Sequence, residues 1–120
     1  MKEDGDGMPL CGPSARMLGV RHKGDLPIGA DGVVRPRTGG MSVALEDPMN
    51  LARHRRPARF KGRGRDPVWQ IEDGDLPDSL VLRADPENPD GHGFVEPMRP
   101  MRLRDYQEAL TTTRGTWSRT

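Results

Sequence analysis

The chain has 120 residues, enough for one domain, and its composition is lean: 32% of the residues are hydrophobic, 31% are charged, and 15 glycines and 12 prolines punctuate the rest. The longest apolar runs, residues 43–45 and 80–82, are too short to cross a membrane, and no signal-peptide pattern precedes them. One cysteine excludes an internal disulfide and three scattered histidines predict no metal site, which together fit a protein that works in the reducing cytoplasm.

The first half of the chain is predicted to hold a leader followed by short strands. Residues 1–19 are acidic and then rich in glycine and proline, which predicts a disordered leader before a single domain over residues 20–120. Residues 20–23 are a candidate first strand, and the turn at residues 31–32 leads into a strand of two or three residues. Residues 41–45 alternate between the two faces of a further strand.

The second half is predicted to add three strands and the one helix. Residues 67–71, 80–83 and 92–96 are the strand candidates, and the polar segment 85–91 is a turn. In residues 101–114 an apolar stripe recurs at spacings of three and four, which is typical of a helix. These elements predict an α+β fold of short strands with a C-terminal helix.

The charge pattern singles out residues 53–65 as a basic loop. Seven lysines or arginines lie there with no acid, which leaves 12 basic and 18 acidic residues in the remainder of the chain. Clustered guanidinium groups bind the phosphates of nucleic acid or the pyrophosphate of a dinucleotide, and Phe60 offers a ring for stacking on a base. The candidate phosphate ligands are Arg53, Arg55, Arg56, Arg59 and Arg63. The alternative is a solvated loop whose arginines pair with the acidic body of the protein.

Two glycines precede a serine at the start of one predicted strand. Gly39 and Gly40 allow either a hinge into the strand or a close approach of bare backbone to a flat or anionic ligand. In the second interpretation the hydroxyl of Ser42 donates a hydrogen bond to that ligand. Both interpretations stay open on the sequence alone.

A histidine and a glutamate share one face of the last predicted strand. His92 and Glu96 are four residues apart, and side chains at even spacing point to the same side of a strand. Imidazole beside carboxylate suits general acid–base catalysis, and it also suits a structural hydrogen bond. Trp69 and Phe94 are predicted to belong to the core.

A resemblance to a known family joins several of these features. Residues 31–43, which read DGVVRPRTGGMSV, resemble the D-G-[LV]-[YV]-x-P-x-T-G-G-x-S-V stretch of small cytotoxic effectors of type VI secretion that are grouped with ADP-ribosyltransferase-like toxins. The order of elements from residue 27 to residue 110 follows the same family. Met41 stands where the family has a threonine, so one polar contact of the pattern is missing.

The resemblance implies the compact split β core of ADP-ribosyltransferases and NAD as the ligand. It implies that Arg21 or His22 binds NAD together with the Gly39-Gly40 backbone, and that Ser42 lines the pocket. The expected mechanism has Glu96 or His92 stabilise the oxocarbenium-like state as nicotinamide leaves. Transfer to an unknown target in the cytoplasm would arrest growth, and a cognate immunity or antitoxin protein would neutralise the toxin.

Two further functions stay open beside this one. The chain could be a non-enzymatic module that binds nucleic acid through the basic loop, or an inactive interaction domain that keeps the fold without the chemistry. Strong salt dependence of binding would mark the first, and harmless expression without stabilisation by NAD would mark the second.

Overall fold

The computed structural model of the chain describes residues 1–14, 16–21, 28 and 30–120. Seven short strands and one α-helix lie in this part of the chain. The strands are β1 (Val33–Val34), β2 (Met41–Ala44), β3 (Trp69–Gln70), β4 (Leu80–Ala84), β5 (His92–Pro97), β6 (Met101–Arg102) and β7 (Ser118–Arg119), and the helix is α1 (Leu103–Thr112). The predicted α+β class is confirmed at this level: short strands in small sheets with a C-terminal helix. The candidate strand at residues 20–23 falls mostly outside the described residues.

The central sheet has three antiparallel strands in the order β2-β5-β4, so β5 lies in the middle and β2 is an edge. Phe94 on β5 is opposite Ser42 on β2 and opposite Arg83 on β4. Because side chains alternate along a strand, His92 and Glu96 share that face with Phe94. Two smaller sheets pair β1 with β6 and β3 with β7.

The other face of the central sheet carries the core. Buried side chains there pack against α1 and against the chain before β1, and the core consists of Leu18, Val20, Val34, Met41, Leu80, Val95, Tyr106 and Leu110. The helix contributes its two buried residues at a spacing of four, as its sequence pattern predicts. The hydroxyl of Tyr106 accepts the N–H of Met41 at 2.9 Å and donates to the carbonyl of Val95, which ties α1 to both β2 and β5.

The segment that the sequence predicts to be a disordered leader contacts the body in the structure. Leu18 is fully buried, and the side chain of Gln107 on α1 bonds the carbonyl of Leu18 and the N–H of Val20. Arg114 reaches the carboxylates of Asp4 and Asp6. The physical reason is the low share of hydrophobic residues, 32% of the chain. The core therefore also uses apolar residues that lie outside the predicted strands and helix, such as Leu18.

Within the described residues, no helix combines the length and the apolar character that a membrane crossing requires.

Candidate functional site

A large cleft of about 1160 Å³ runs along the edge strand β2. Residues 41–48 form one wall, and parts of the N-terminal segment and of the basic loop form the others. The indole rings of Trp69 and Trp117 add to the apolar surface of the cleft, and the N–H of each ring is bonded within the protein. The cleft is slightly larger than the usual range of small-molecule sites, so it has room for an extended ligand.

The charges in this cleft are of both signs. The arginines that line it are Arg16, Arg21, Arg55, Arg63 and Arg65, and the carboxylates are Glu46, Asp47, Asp66, Glu72 and Asp73. Arg16 and Asp66 bind each other through two hydrogen bonds of 2.9 and 3.1 Å, and the guanidinium holds the pKa of Asp66 below its usual value. A ligand with both anionic and hydroxyl groups would find partners for each.

Three of the residues predicted for NAD binding or catalysis line this one cleft: Arg21, Ser42 and His92. Arg21 and Ser42 are exposed, and Ser42 lies on the same sheet face as His92, on the neighbouring strand. A cation, a hydroxyl and an imidazole from separate parts of the chain therefore line the same cleft. His22, the alternative to Arg21, lies outside the described residues.

Glu96 is buried and bound on both oxygens, and it does not line the large cleft. Its Oε1 accepts from Arg83 Nε at 2.7 Å, and its Oε2 accepts from Arg83 Nη2 at 3.0 Å and from the N–H of Gly39 at 3.1 Å. These bonds raise the pKa of Arg83, whose guanidinium also lies over the Phe94 ring at 5.1 Å. The geometry assigns this carboxylate a structural role in joining β4, β5 and the chain before β2.

A smaller cleft of about 300 Å³ opens beside this ion pair. Its walls are formed by both members of the pair and by the side chains of Pro36, Arg37, Val81, Leu82 and Met98. Glu96 and His92 therefore belong to different clefts although they share a sheet face.

The twin glycines are used for close packing. Gly39 has a φ of +109°, and its N–H is occupied by Glu96. A Cβ on Gly40 would lie 2.7 Å from the hydroxyl oxygen of Tyr106 and 2.7 Å from the carbonyl oxygen of Val95. Neither glycine is among the residues that line the large cleft, so the hinge interpretation fits the geometry of this stretch.

Gly40→Ala is therefore expected to lower the free energy of unfolding by about 1–3 kcal/mol, because overpacking forces the hydroxyl of Tyr106 and the strand apart. Urea denaturation measures the change. Gly74→Ala is the matched control, since a Cβ there meets nothing within 4 Å. Equal stability of the two variants would contradict the packing role.

The basic loop is folded upon itself. Its backbone closes with hydrogen bonds from Arg63 to Arg53 and from Gly64 to Arg56, and two 3-10 turns lie inside it, Arg53–Arg55 and Ala58–Phe60. Five arginines were predicted to bind phosphate, and the structure separates them. Arg55 and Arg63 line the large cleft, whereas Arg53, Arg56 and Arg59 do not.

The ring of Phe60, which was predicted to stack on a base, is already covered by an arginine of the same loop. The guanidinium of Arg59 lies over the ring of Phe60 at 4.6 Å and also bonds the main-chain oxygen of Thr120. Arg56 is half-buried, and its Nε has no hydrogen-bond partner among the described residues. Phe60 is thus a partner for the protein's own arginine.

A carboxylate that the sequence did not single out completes the surroundings of His92. Asp85 Oδ2 lies 2.8 Å from His92 Nδ1. The sequence places Asp85 in a turn, and its position at the end of one strand, with a histidine opening the next, was the signal available. Among the described residues, no group of three or more histidine, cysteine or acidic side chains is arranged to hold a metal ion.

Comparison with known proteins adds no further evidence: no protein-family model, no curated protein and no solved structure matches this chain. The function is therefore inferred from the residues of the site.

Proposed function

We propose that this chain is a toxin-like domain of the ADP-ribosyltransferase type that binds NAD in the large cleft. The observation that carries the proposal is that Arg21, Ser42 and His92 line one cleft. The family resemblance gives roles to Arg21 and Ser42, and the expected mechanism gives one to His92. The small antiparallel sheets beside the cleft suit the split β core that the same resemblance implies.

The lining of the cleft fits the chemical groups of a dinucleotide. Arginines at the basic loop, such as Arg63 and Arg65, can donate charge-assisted hydrogen bonds to a pyrophosphate. Carboxylates such as Glu72 and Asp73 can accept from ribose hydroxyls, as acidic residues do in other dinucleotide sites. The apolar surface at Trp69 accommodates a flat ring.

The proposed chemistry divides between three side chains of the chain. Arg21 holds the anionic part of the dinucleotide, and the Ser42 hydroxyl donates to its nicotinamide end. His92 is favoured over Glu96 as the acid–base group, because Glu96 is bound by Arg83 and Gly39 away from this cleft. NAD supplies the ADP-ribosyl group and nicotinamide is the leaving group.

The biological setting is part of the same proposal. Transfer to an intracellular target in the cytoplasm would arrest growth, and a producing cell would then need a cognate neutralising protein. The acceptor is proposed to be a protein or nucleic acid that approaches the mouth of the cleft beside Ser42, which is exposed.

Inducible expression in bacteria tests this function. The wild type is expected to arrest growth, and Ser42→Ala is expected to relieve the arrest because it removes the cleft hydroxyl without altering the fold. Ser118→Ala is the matched control, an exposed serine on β7 that is not among the cleft residues. Purified wild type should release nicotinamide from NAD. The rate is expected to fall about 10- to 100-fold in Ser42→Ala, which corresponds to about 1.4–2.7 kcal/mol of lost hydrogen bonding in the transition state.

Harmless expression of the wild type, with no stabilisation by NAD on heating, would instead support an inactive interaction domain of the same fold.

A nucleic-acid-binding module is the second candidate, and one observation favours it. Arg53, Arg59 and Lys61 are exposed on the basic loop and are not among the residues lining the cleft, so a positive surface faces solvent there. This function would be supported if the affinity for RNA or DNA falls steeply with salt concentration and if replacing these residues reduces that salt dependence.

A further inference from the structure

The connection between β4 and β5 brings a carboxylate and an imidazole together at its two ends. Asp85 follows the last residue of β4, and His92 is the first residue of β5. The N–H of Asp85 donates to the carbonyl of His92 at 2.8 Å, so the backbone itself fixes the pair. The side chains then meet at 2.8 Å between Oδ2 and Nδ1.

The carboxylate of Asp85 is held in place by a second bond. Its Oδ1 accepts the N–H of Glu87 at 2.9 Å. The Glu87 N–H and the His92 ring keep the pKa of Asp85 below its usual value, so the carboxylate is ionised at neutral pH and accepts hydrogen bonds only. The proton of a neutral His92 ring is therefore assigned to Nδ1, which leaves Nε2 as the proton acceptor.

The ring of His92 is also fixed by its aromatic neighbour. It packs against Phe94 edge-on, with the ring centroids 4.8 Å apart and the planes at 79°. About 31% of the His92 side chain is exposed, and this residue lines the large cleft, whereas Asp85 does not. The carboxylate thus holds the imidazole from outside the cleft.

We propose that Asp85 is a positioning residue that holds His92 as the general base for the acceptor nucleophile. This inference rests on the proposed transferase function. The bond between C1′ of the ribose and the nicotinamide nitrogen breaks, and its electron pair leaves with nicotinamide. The acceptor heteroatom forms the new bond to C1′, and its proton passes to His92 Nε2 and then to solvent. A base is needed for that proton, and the neighbouring carboxylate of Glu96 is bound by Arg83.

The charged groups around His92 come from three elements. Asp85 and Arg83 belong to β4 and the residue after it, and Glu96 lies on the same face of β5 but is paired with Arg83. Glu46 and Asp47, which follow β2, line the same cleft as His92. Of these groups, Asp85 is the one whose carboxylate bonds the imidazole, so its replacement isolates the positioning role.

Asp85→Asn in the purified full chain tests the inference. Asparagine can still accept the N–H of Glu87, so the turn is retained, while the negative charge beside the imidazole is lost. The rate of nicotinamide release with acceptor present is expected to fall about 10- to 1000-fold, because a general base contributes about 10²- to 10⁴-fold and the positioning residue supplies part of that effect.

Nitrogen NMR of the three histidines provides a readout of position that does not require turnover, with His92 assigned by its loss in His92→Gln. The wild type should show the proton on Nδ1 of His92, and Asp85→Asn should show a larger share on Nε2. Asp90→Asn is the control, an exposed aspartate of the same connection, and should change neither rate nor spectrum.

The outcomes separate the inference from the proposed function. An active wild type whose rate and His92 tautomer are unchanged by Asp85→Asn overturns the role of Asp85 and leaves the transferase intact. A wild type that neither binds NAD nor releases nicotinamide overturns the proposed function, and the general-base role with it, whatever the spectrum shows.

Discussion

Replacement of Arg83 by methionine is expected to lower the free energy of unfolding by about 3–5 kcal/mol, the cost of leaving one member of a buried ion pair without its partner. Glu96 is fully buried, and two of its three hydrogen bonds come from this guanidinium. After the replacement only the N–H of Gly39 would face the carboxylate. Urea denaturation at neutral pH measures the loss.

The double variant Arg83→Met/Glu96→Leu separates the ion pair from simple packing. Replacing a buried pair by apolar side chains of similar volume is often nearly neutral, so the double variant should be more stable than either single variant. Glu87→Leu, an exposed glutamate in the β4–β5 connection, controls for the loss of one carboxylate. Additive losses in the double variant, or a loss below about 1 kcal/mol in Arg83→Met, would contradict a structural ion pair.

This experiment bears directly on the catalytic role predicted for Glu96. The sequence places His92 and Glu96 on one face of one strand, and the structure agrees with that placement. What strand periodicity does not give is the identity of the neighbours. Arg83 comes beside Glu96 only through the register of β4 against β5, which pairs Arg83 with Phe94 and Val81 with Glu96.

Local sequence patterns predict elements but not the contacts between them, and this explains which parts of the fold could be predicted from the sequence. Alternation and turn residues predicted the positions of β2, β4 and β5, and the stripe containing Tyr106 and Leu110 predicted α1. β7 was not predicted, because two residues are too few to show a periodic pattern. Its pairing with β3 joins residues that are distant in sequence. The burial of Leu18 was missed for the same reason: it depends on contacts distant in sequence.

Within the candidate site, residue types were predictable and partners were not. Ser42 could be chosen because of its glycine neighbours, although those glycines then proved to pack against Tyr106 and Glu96. The pairing of Asp85 with His92 requires knowing that residues 85–91 close a hairpin tightly enough to bond Asp85 to His92. A basic loop likewise reveals its charge in the sequence, but not which arginines turn towards the cleft.

The second large effect concerns those arginines. Arg63→Gln/Arg65→Gln is expected to weaken NAD binding by about 10²- to 10⁴-fold, because hydrogen bonds to charged groups contribute about 1.5–3 kcal/mol each and both arginines line the cleft. Arg53→Gln/Arg59→Gln is the matched control: these arginines are equally exposed, belong to the same loop, and are not among the cleft residues. Calorimetric titration with NAD at fixed salt measures both affinities.

The two pairs also distinguish the transferase from the nucleic-acid module. If the loop binds RNA or DNA along its exposed surface, the control pair should lower the slope of log affinity against log salt by roughly 1.4–1.8, since each lost phosphate contact removes about 0.7–0.9. The cleft pair should then matter no more than the control pair. If the cleft holds a pyrophosphate, replacing the cleft pair should weaken NAD binding and replacing the control pair should not, because of the two pairs it is Arg63 and Arg65 that line the cleft.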